Sequence, residues 1–230
     1  MLIISWFRYC LIVIIYGVLY PLYCKMFGRD ICWEFSQNNA RQALRVLGID
    51  VKCTGLDLVK NFSSTGCIIV SNHRSWFDSL ALSSVLPFRT HFVAKKSYFS
   101  VPVLGQWLNL YQHIPIDYTS STPLKLSSLK FIKNFLNSGH IIAIYPEGTR
   151  SLTRDLLPFK RGAWWLGFRN KISIIEAQIC GSEKVWPKGA SIFELKAGTI
   201  FINFNNSYSV VDDKGLEVLS KMNFGNLKFK

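Results

Sequence analysis

His73 and Asp78 stand five positions apart in the stretch Asn72-His73-Arg74-Ser75-Trp76-Phe77-Asp78. A carboxylate that holds one imidazole nitrogen leaves the other to take a proton from a substrate hydroxyl, which is what a general base requires. A second group of functional side chains lies in Tyr145-Pro146-Glu147-Gly148-Thr149-Arg150-Ser151. Gly148 permits a tight turn, and Arg150 can grip a phosphate with a two-pronged hydrogen bond. Glu147 could orient that guanidinium or bond a substrate hydroxyl. Both groups also have plainer readings. Ser75 and Asp78 would serve as a helix-capping pair, with His73 a hydrogen-bonded turn residue. Glu147 and Arg150 would close a surface turn as an exposed ion pair, which contributes little.

The elements that must position these residues can be read from the apolar pattern. Cys67-Ile68-Ile69-Val70 reads as a buried strand, Ser75 as an N-cap, and Trp76 as the first residue of a helix reaching about Val85. Ile141-Ile142-Ala143-Ile144-Tyr145 is a second strongly apolar strand, and the Glu147–Arg150 turn follows it directly. Strand ends are where open α/β sheets place their sites. Further strands are expected at Ile49–Cys53, His91–Ala94, His113–Ile116 and Ile172–Ile179, with β-like runs at Ser191–Leu195 and Thr199–Phe204. Helices are expected over Cys32–Leu47 (C-capped by Gly48), over Pro123–Asn137 and over Ala163–Phe168. Strands that alternate with helices, several of them apolar throughout, predict a mixed α/β fold with a largely buried central sheet flanked by helices.

Lys and Arg number 27 against 14 Asp and Glu, a formal charge of +13, which favours an anionic partner. Hydrophobic residues make up 49% of the chain and aromatic residues 14%, more than suits a soluble nucleic-acid binder and well matched to a membrane surface. A non-catalytic basic protein binding membranes or nucleic acid has only the charge in its favour, so no nucleic-acid partner is expected. The six cysteines (Cys10, Cys24, Cys32, Cys53, Cys67 and Cys180) include no C-x-x-C pair, and neither a disulfide framework nor a metal site is expected. Tyr9–Cys24 is an uncharged run of 16 residues. At ~1.5 Å per residue it reaches roughly 24 Å, short of the ~30 Å hydrocarbon core, and Pro21 interrupts it. It reads as a segment dipping into one leaflet or as a marginal spanning helix; a core helix is the alternative. Lys25, Arg29, Arg41 and Arg45 follow it and only Arg8 precedes it, which puts the remainder on the cytoplasmic face, the inner membrane if the source is bacterial. The chain therefore divides into residues 1–48, an N-terminal membrane-associated anchor with an amphipathic helix that could lie on the membrane, and residues 49–230, the α/β domain.

The N-H-x-x-x-x-D block at Asn72–Asp78 and the later P-E-G-T-R block at Pro146–Arg150 together resemble the glycerolipid acyltransferase family, whose best-known members are 1-acylglycerol-3-phosphate acyltransferases. Lys95-Lys96, Val101–Gly105 and Leu157–Gly162 are also similar to that family, and the resemblance spans about residues 67–185. It implies transfer of a fatty acyl group from acyl-CoA or acyl-carrier protein, as substrate rather than bound cofactor, to the sn-2 hydroxyl of a lysophospholipid, giving phosphatidic acid. His73 and Asp78 would be catalytic. Glu147, Gly148, Thr149 and Arg150 would bind the acceptor's phosphate, with Asn72, Lys95, Lys160 and Arg161 in support. Amides near the helix start would receive the oxyanion. Two departures concern the acceptor. Tyr118 follows Ile114-Pro115-Ile116-Asp117 where the family usually carries arginine, and Glu176 lies in a segment that is usually apolar. The same chemistry on another lysophospholipid or a lyso-aminolipid is the alternative they raise.

Overall fold

Cys67–Val70 can be apolar throughout because the strand to which it belongs, Cys67–Ser71, is buried on both faces of a sheet. The structure, a computed structural model, describes residues 29–102, 104–118, 126–152 and 155–208, together with Leu22 and Met26. In chain order the elements are α1 (Arg29–Val46), β1 (Ile49–Thr54), α2 (Asp57–Lys60), β2 (Cys67–Ser71), α3 (Phe77–Val85) and β3 (Thr90–Lys95). Then follow α4 (Leu104–Leu110), β4 (Ile114–Ile116), α5 (Leu126–Asn137), β5 (Ile141–Ile144), α6 (Gly162–Asn170), β6 (Ile174–Cys180), α7 (Ser182–Val185) and β7 (Gly198–Tyr208). The strands form one seven-stranded sheet in the order β1-β7-β6-β2-β5-β3-β4. β7 runs antiparallel to β6, and the other pairs are parallel.

Each face of the sheet has its own core. Ile69, Ala143, Ile175, Ala177, Ile200 and Ile202 pack with Leu44 of α1, Val59 of α2 and Ala81 and Leu82 of α3. Ile68, Val70, Ile142 and Ile174 pack on the other face with Ile132 and Leu136 of α5 and Ala163, Trp164 and Leu166 of α6. Full burial of such a side chain contributes about 1.5–3 kcal/mol, so the central strands are the rigid part of the molecule. The mixed α/β architecture is as the sequence predicted.

Three expectations need correction. Ser191–Leu195 is not a strand: Ile192–Glu194 is a single 3₁₀ turn, fixed by the Ser191 amide donating to Glu194 Oε2 at 2.7 Å. The final strand runs to Tyr208 rather than Phe204. The helix before β1 does not lie apart from the domain, because Ala40, Ala43 and Leu44 are buried and Arg41 Nε donates to the Ser84 carbonyl of α3 at 2.7 Å. Its second half packs against the α/β unit. Apart from Leu22, the expected 9–24 segment lies outside the described residues. No helix among the described residues is long and apolar enough to cross a membrane.

Candidate active site

β2 and β5 are paired in parallel with Val70 opposite Ile144, so the loops that leave their carboxyl ends emerge side by side. Those loops carry the two groups of functional residues. Asp78 enters the first turn of α3 fully buried, and its Oδ2 accepts from His73 Nδ1 at 2.8 Å. The same oxygen accepts the backbone amides of Arg74 at 2.7 Å and Ser75 at 2.8 Å. A carboxylate held by two fixed N–H groups cannot swing away, so it fixes the ring it binds. His73 Nε2 makes no hydrogen bond among the described residues, and its side chain keeps 17% exposure, enough to meet a substrate. The capping reading survives alongside: Ser75 Oγ accepts the Phe77 amide at 3.2 Å and donates to the Trp186 carbonyl at 2.7 Å. Four amides near the helix start are already engaged: those of Arg74 and Ser75 serve Asp78, that of Phe77 serves Ser75 Oγ, and that of Asp78 donates to the Ser75 carbonyl.

The imidazole also lies flat on Tyr145, with ring centroids 4.0 Å apart and planes 13° from parallel. Tyr145 OH pairs with Ser79 Oγ at 3.0 Å, and burial with the nearby Asp78 charge pushes the phenol well above its usual range. It therefore stays a neutral shelf under the histidine. Nothing in sequence spacing pairs residue 73 with residue 145; only the β2–β5 register does.

Glu147 is placed differently from the sequence expectation. It is buried, its Oε1 accepts the His73 amide at 2.9 Å and its Oε2 accepts the Leu157 amide at 2.9 Å. Both oxygens are thus turned to the protein main chain. The Ser151 amide donates to the His73 carbonyl at 2.8 Å, so the histidine's peptide group is held on both sides by the neighbouring loop. Gly148 takes φ +71°, which favours glycine, and a Cβ there would stand 2.9 Å from both Lys160 Cε and Nζ, so any other residue would also push the lysine's end aside. Arg150 lies over the Trp76 ring at 4.6 Å, and Lys160 Nζ over the Tyr118 ring at 3.9 Å. Both are cations presented on aromatic faces. Burial pulls Arg150 below its ordinary value, yet a guanidinium stays charged at any working pH.

The other candidate residues are distributed as follows. Asn72 is a clamp on β6: its Nδ2 donates to the Ile179 carbonyl and its Oδ1 accepts the Ile179 amide, each at 2.8 Å. Thr149 Oγ1 accepts from Lys188 Nζ at 3.3 Å, and the same ammonium donates to the Arg150 carbonyl at 2.8 Å. Lys188, absent from any motif, is a residue that sequence reading missed. Lys95 and Arg161 are exposed on the same side, at the end of β3 and the start of α6. Glu176 is fully buried within β6, and its Oε2 accepts from Tyr208 OH at 3.1 Å and Asn206 Nδ2 at 3.3 Å. Its partners come from β7 rather than from the loops of the site.

At its carboxyl edge the α/β sheet thus sets a hydrogen-bonded histidine–aspartate pair in one loop next to a turn that carries Arg150 in the other. The chain belongs to the Acyltransferase family, whose model matches residues 50–176 and so takes in both loops. It is 31% identical over 144 residues to a 1-acyl-sn-glycerol-3-phosphate acyltransferase of Limnanthes douglasii, covering 63% of this chain and 50% of that one. It is 30% identical over 178 residues to the enzyme of that name from Saccharomyces cerevisiae, covering 75% and 58%. The chain thus spans between half and three-fifths of the length of these curated relatives. Its fold is similar to that of the 1-acyl-sn-glycerophosphate (LPA) acyltransferase of Thermotoga maritima, with a TM-score of 0.77, 18% identity, and 96% and 91% of the two chains covered.

Proposed function

We propose that this protein transfers a fatty acyl group from an acyl thioester, carried by CoA or acyl-carrier protein, to the sn-2 hydroxyl of 1-acylglycerol-3-phosphate, giving phosphatidic acid. The observation that carries the reading is the bond from His73 Nδ1 to Asp78 Oδ2, which leaves Nε2 without a hydrogen bond among the described residues, while the loop after β5 carries Arg150 over Trp76 and Lys160 against the Gly148 turn. His73 Nε2 takes the hydroxyl proton as the hydroxyl oxygen attacks the thioester carbonyl. Asp78 stabilises the imidazolium that forms. The tetrahedral adduct then collapses, the C–S bond breaks, and the proton passes to the departing thiolate. General-base help of this kind is worth ~10²–10⁴ in rate.

Arg150 and Lys160 supply the charge that would meet the acceptor's phosphate, while Gly148 shapes the turn and Thr149 holds Lys188. Glu147 and Asn72 act on the loops rather than on the substrate. Membrane association is supported by the rim of the site. Trp76, Val101, Tyr118 and Leu152 are exposed apolar residues on loops at the carboxyl ends of β2, β3, β4 and β5, interleaved with Lys95, Lys96, Arg150 and Lys160. Apolar side chains ringed by cations suit an anionic lipid surface.

The test crosses a panel of lysophospholipid acceptors with both donor types, using the wild type and His73→Ala in membranes. Acyl transfer to 1-acylglycerol-3-phosphate should fall by ~10²–10⁴ in the variant. Near-normal transfer by His73→Ala would sink the mechanism. Tyr118 keeps one second reading open, another lysophospholipid or a lyso-aminolipid as acceptor, and a wild-type preference for that acceptor would establish it.

A further inference from the structure

The Lys160 ammonium is a cation without a carboxylate. Among the described residues no acid pairs with it, and the neighbouring carboxylate, Asp117, pairs with Lys96 at 3.3 Å. What holds Lys160 is an aromatic face and a backbone tether: Nζ stands 3.9 Å from the Tyr118 ring centroid, and its amide donates to the Pro146 carbonyl at 2.8 Å. Its side chain crosses the Gly148 turn so closely that a Cβ there would be 2.9 Å from Cε and Nζ. A lysine on a four-carbon stem otherwise samples many positions, and its charge is then spread over solvent. Here the stem is confined between a ring and a glycine, with no carboxylate paired to it among the described residues, and it crosses the turn that also carries Arg150.

We propose that Tyr118 is a positioning residue for the acceptor: its ring holds the Lys160 ammonium over the Gly148 turn, so that Lys160 and Arg150 together form a two-cation grip on a phosphomonoester. This rests on the reading of the 147–150 turn as the acceptor's phosphate site. It assigns the departure at position 118 a function, because the residue after Asp117 supplies a seat for a cation instead of a cation. The ring does this work, and the phenol oxygen does not.

The experiment measures acceptor KM, donor KM and kcat separately, with 1-acylglycerol-3-phosphate and with the matching 1-acylglycerol that lacks the phosphate. Tyr118→Leu should raise the acceptor KM about fivefold, the loss of about 1 kcal/mol of cation–π holding, with donor KM unchanged and kcat little changed. Tyr118→Phe should restore the wild-type value. In a Lys160→Ala background, Tyr118→Leu should add nothing further, and Tyr118→Arg should recover much of what Lys160→Ala loses. Equal effects of Tyr118→Leu and Tyr118→Phe, or additive effects of Tyr118→Leu and Lys160→Ala, would overturn the assignment while leaving the phosphate site standing. A wild-type enzyme that acylates both acceptors equally well would overturn the phosphate site itself, and the role of Tyr118 with it.

Discussion

Asp78 concentrates three hydrogen bonds on one oxygen, from the His73 ring and the Arg74 and Ser75 amides, while its Oδ1 is buried without a partner among the described residues. Oδ2 is therefore fixed in place against the His73 ring. Asp78→Asn keeps the shape and removes the charge that steadies the imidazolium. Its kcat should fall by ~10²-fold or more while acceptor KM stays within a few-fold, as measured by steady-state kinetics on membranes. Unchanged kcat would show that Asp78 is only the helix cap it also resembles. That ambiguity was present in the sequence: Ser75 and Asp78 have the spacing of a cap, and in the structure both bond to the chain at the helix start while Asp78 also holds the His73 ring. The Tyr145 shelf under His73 was not legible, because it depends on which strands are neighbours.

At the scale of elements, the loops after β2 and β5 work as one piece, and Glu147 is the strut between them. A glutamate in a motif read as phosphate-binding invites a substrate role, yet its two partners are main-chain amides at His73 and Leu157, which no local pattern could bring to it. Glu147→Gln replaces one acceptor oxygen with a donor and leaves a buried amide unmatched, at a cost of about 1–3 kcal/mol. The expected result is a thermal midpoint lower by several degrees and a kcat down about tenfold, with acceptor KM nearly unchanged. A raised acceptor KM with intact stability would instead place the carboxylate on the substrate. The elements themselves were largely legible where apolar residues run together, as in β2 and β5. The failures came where polar residues intervene. Asn203, Asn205 and Asn206 disguise the second half of β7, and Ser-Ile-Phe-Glu-Leu mimics a strand in a segment that a glutamate cap folds into a 3₁₀ turn.

For the molecule as a whole, the end of the sheet that carries the dyad is separate from a second, histidine-rich region beside β3. His91 is buried and stacked on Phe135, its Nδ1 meets the carbonyls of Tyr111 and Gln112, and its Nε2 meets His140 Nδ1 at 3.0 Å. Burial, with the nearby His140 and Arg89 charges, pushes His91 down to about 4, against the pull of the two carbonyls. Its folded form is the neutral one, so the unfolded chain takes up this proton first as the pH falls. Stability from this site is full above about pH 6.5 and is lost as the pH drops toward about 4. At ~1.4 kcal/mol per pKa unit the loss is on the order of 3 kcal/mol. Urea unfolding in detergent between pH 7 and pH 4.5 should show a shallower decline for His91→Gln than for the wild type. Parallel declines would mean that other groups govern the acid sensitivity.

The bonds that flank His73 bear on time as well as place. Its amide is held by Glu147 and its carbonyl by Ser151, so the backbone of His73 cannot loosen unless the partner loop loosens with it. Two segments far apart in the chain thus share one opening event. On the proposed reading, a fluctuation that frees the 147–151 loop would release the His73–Asp78 pair with it.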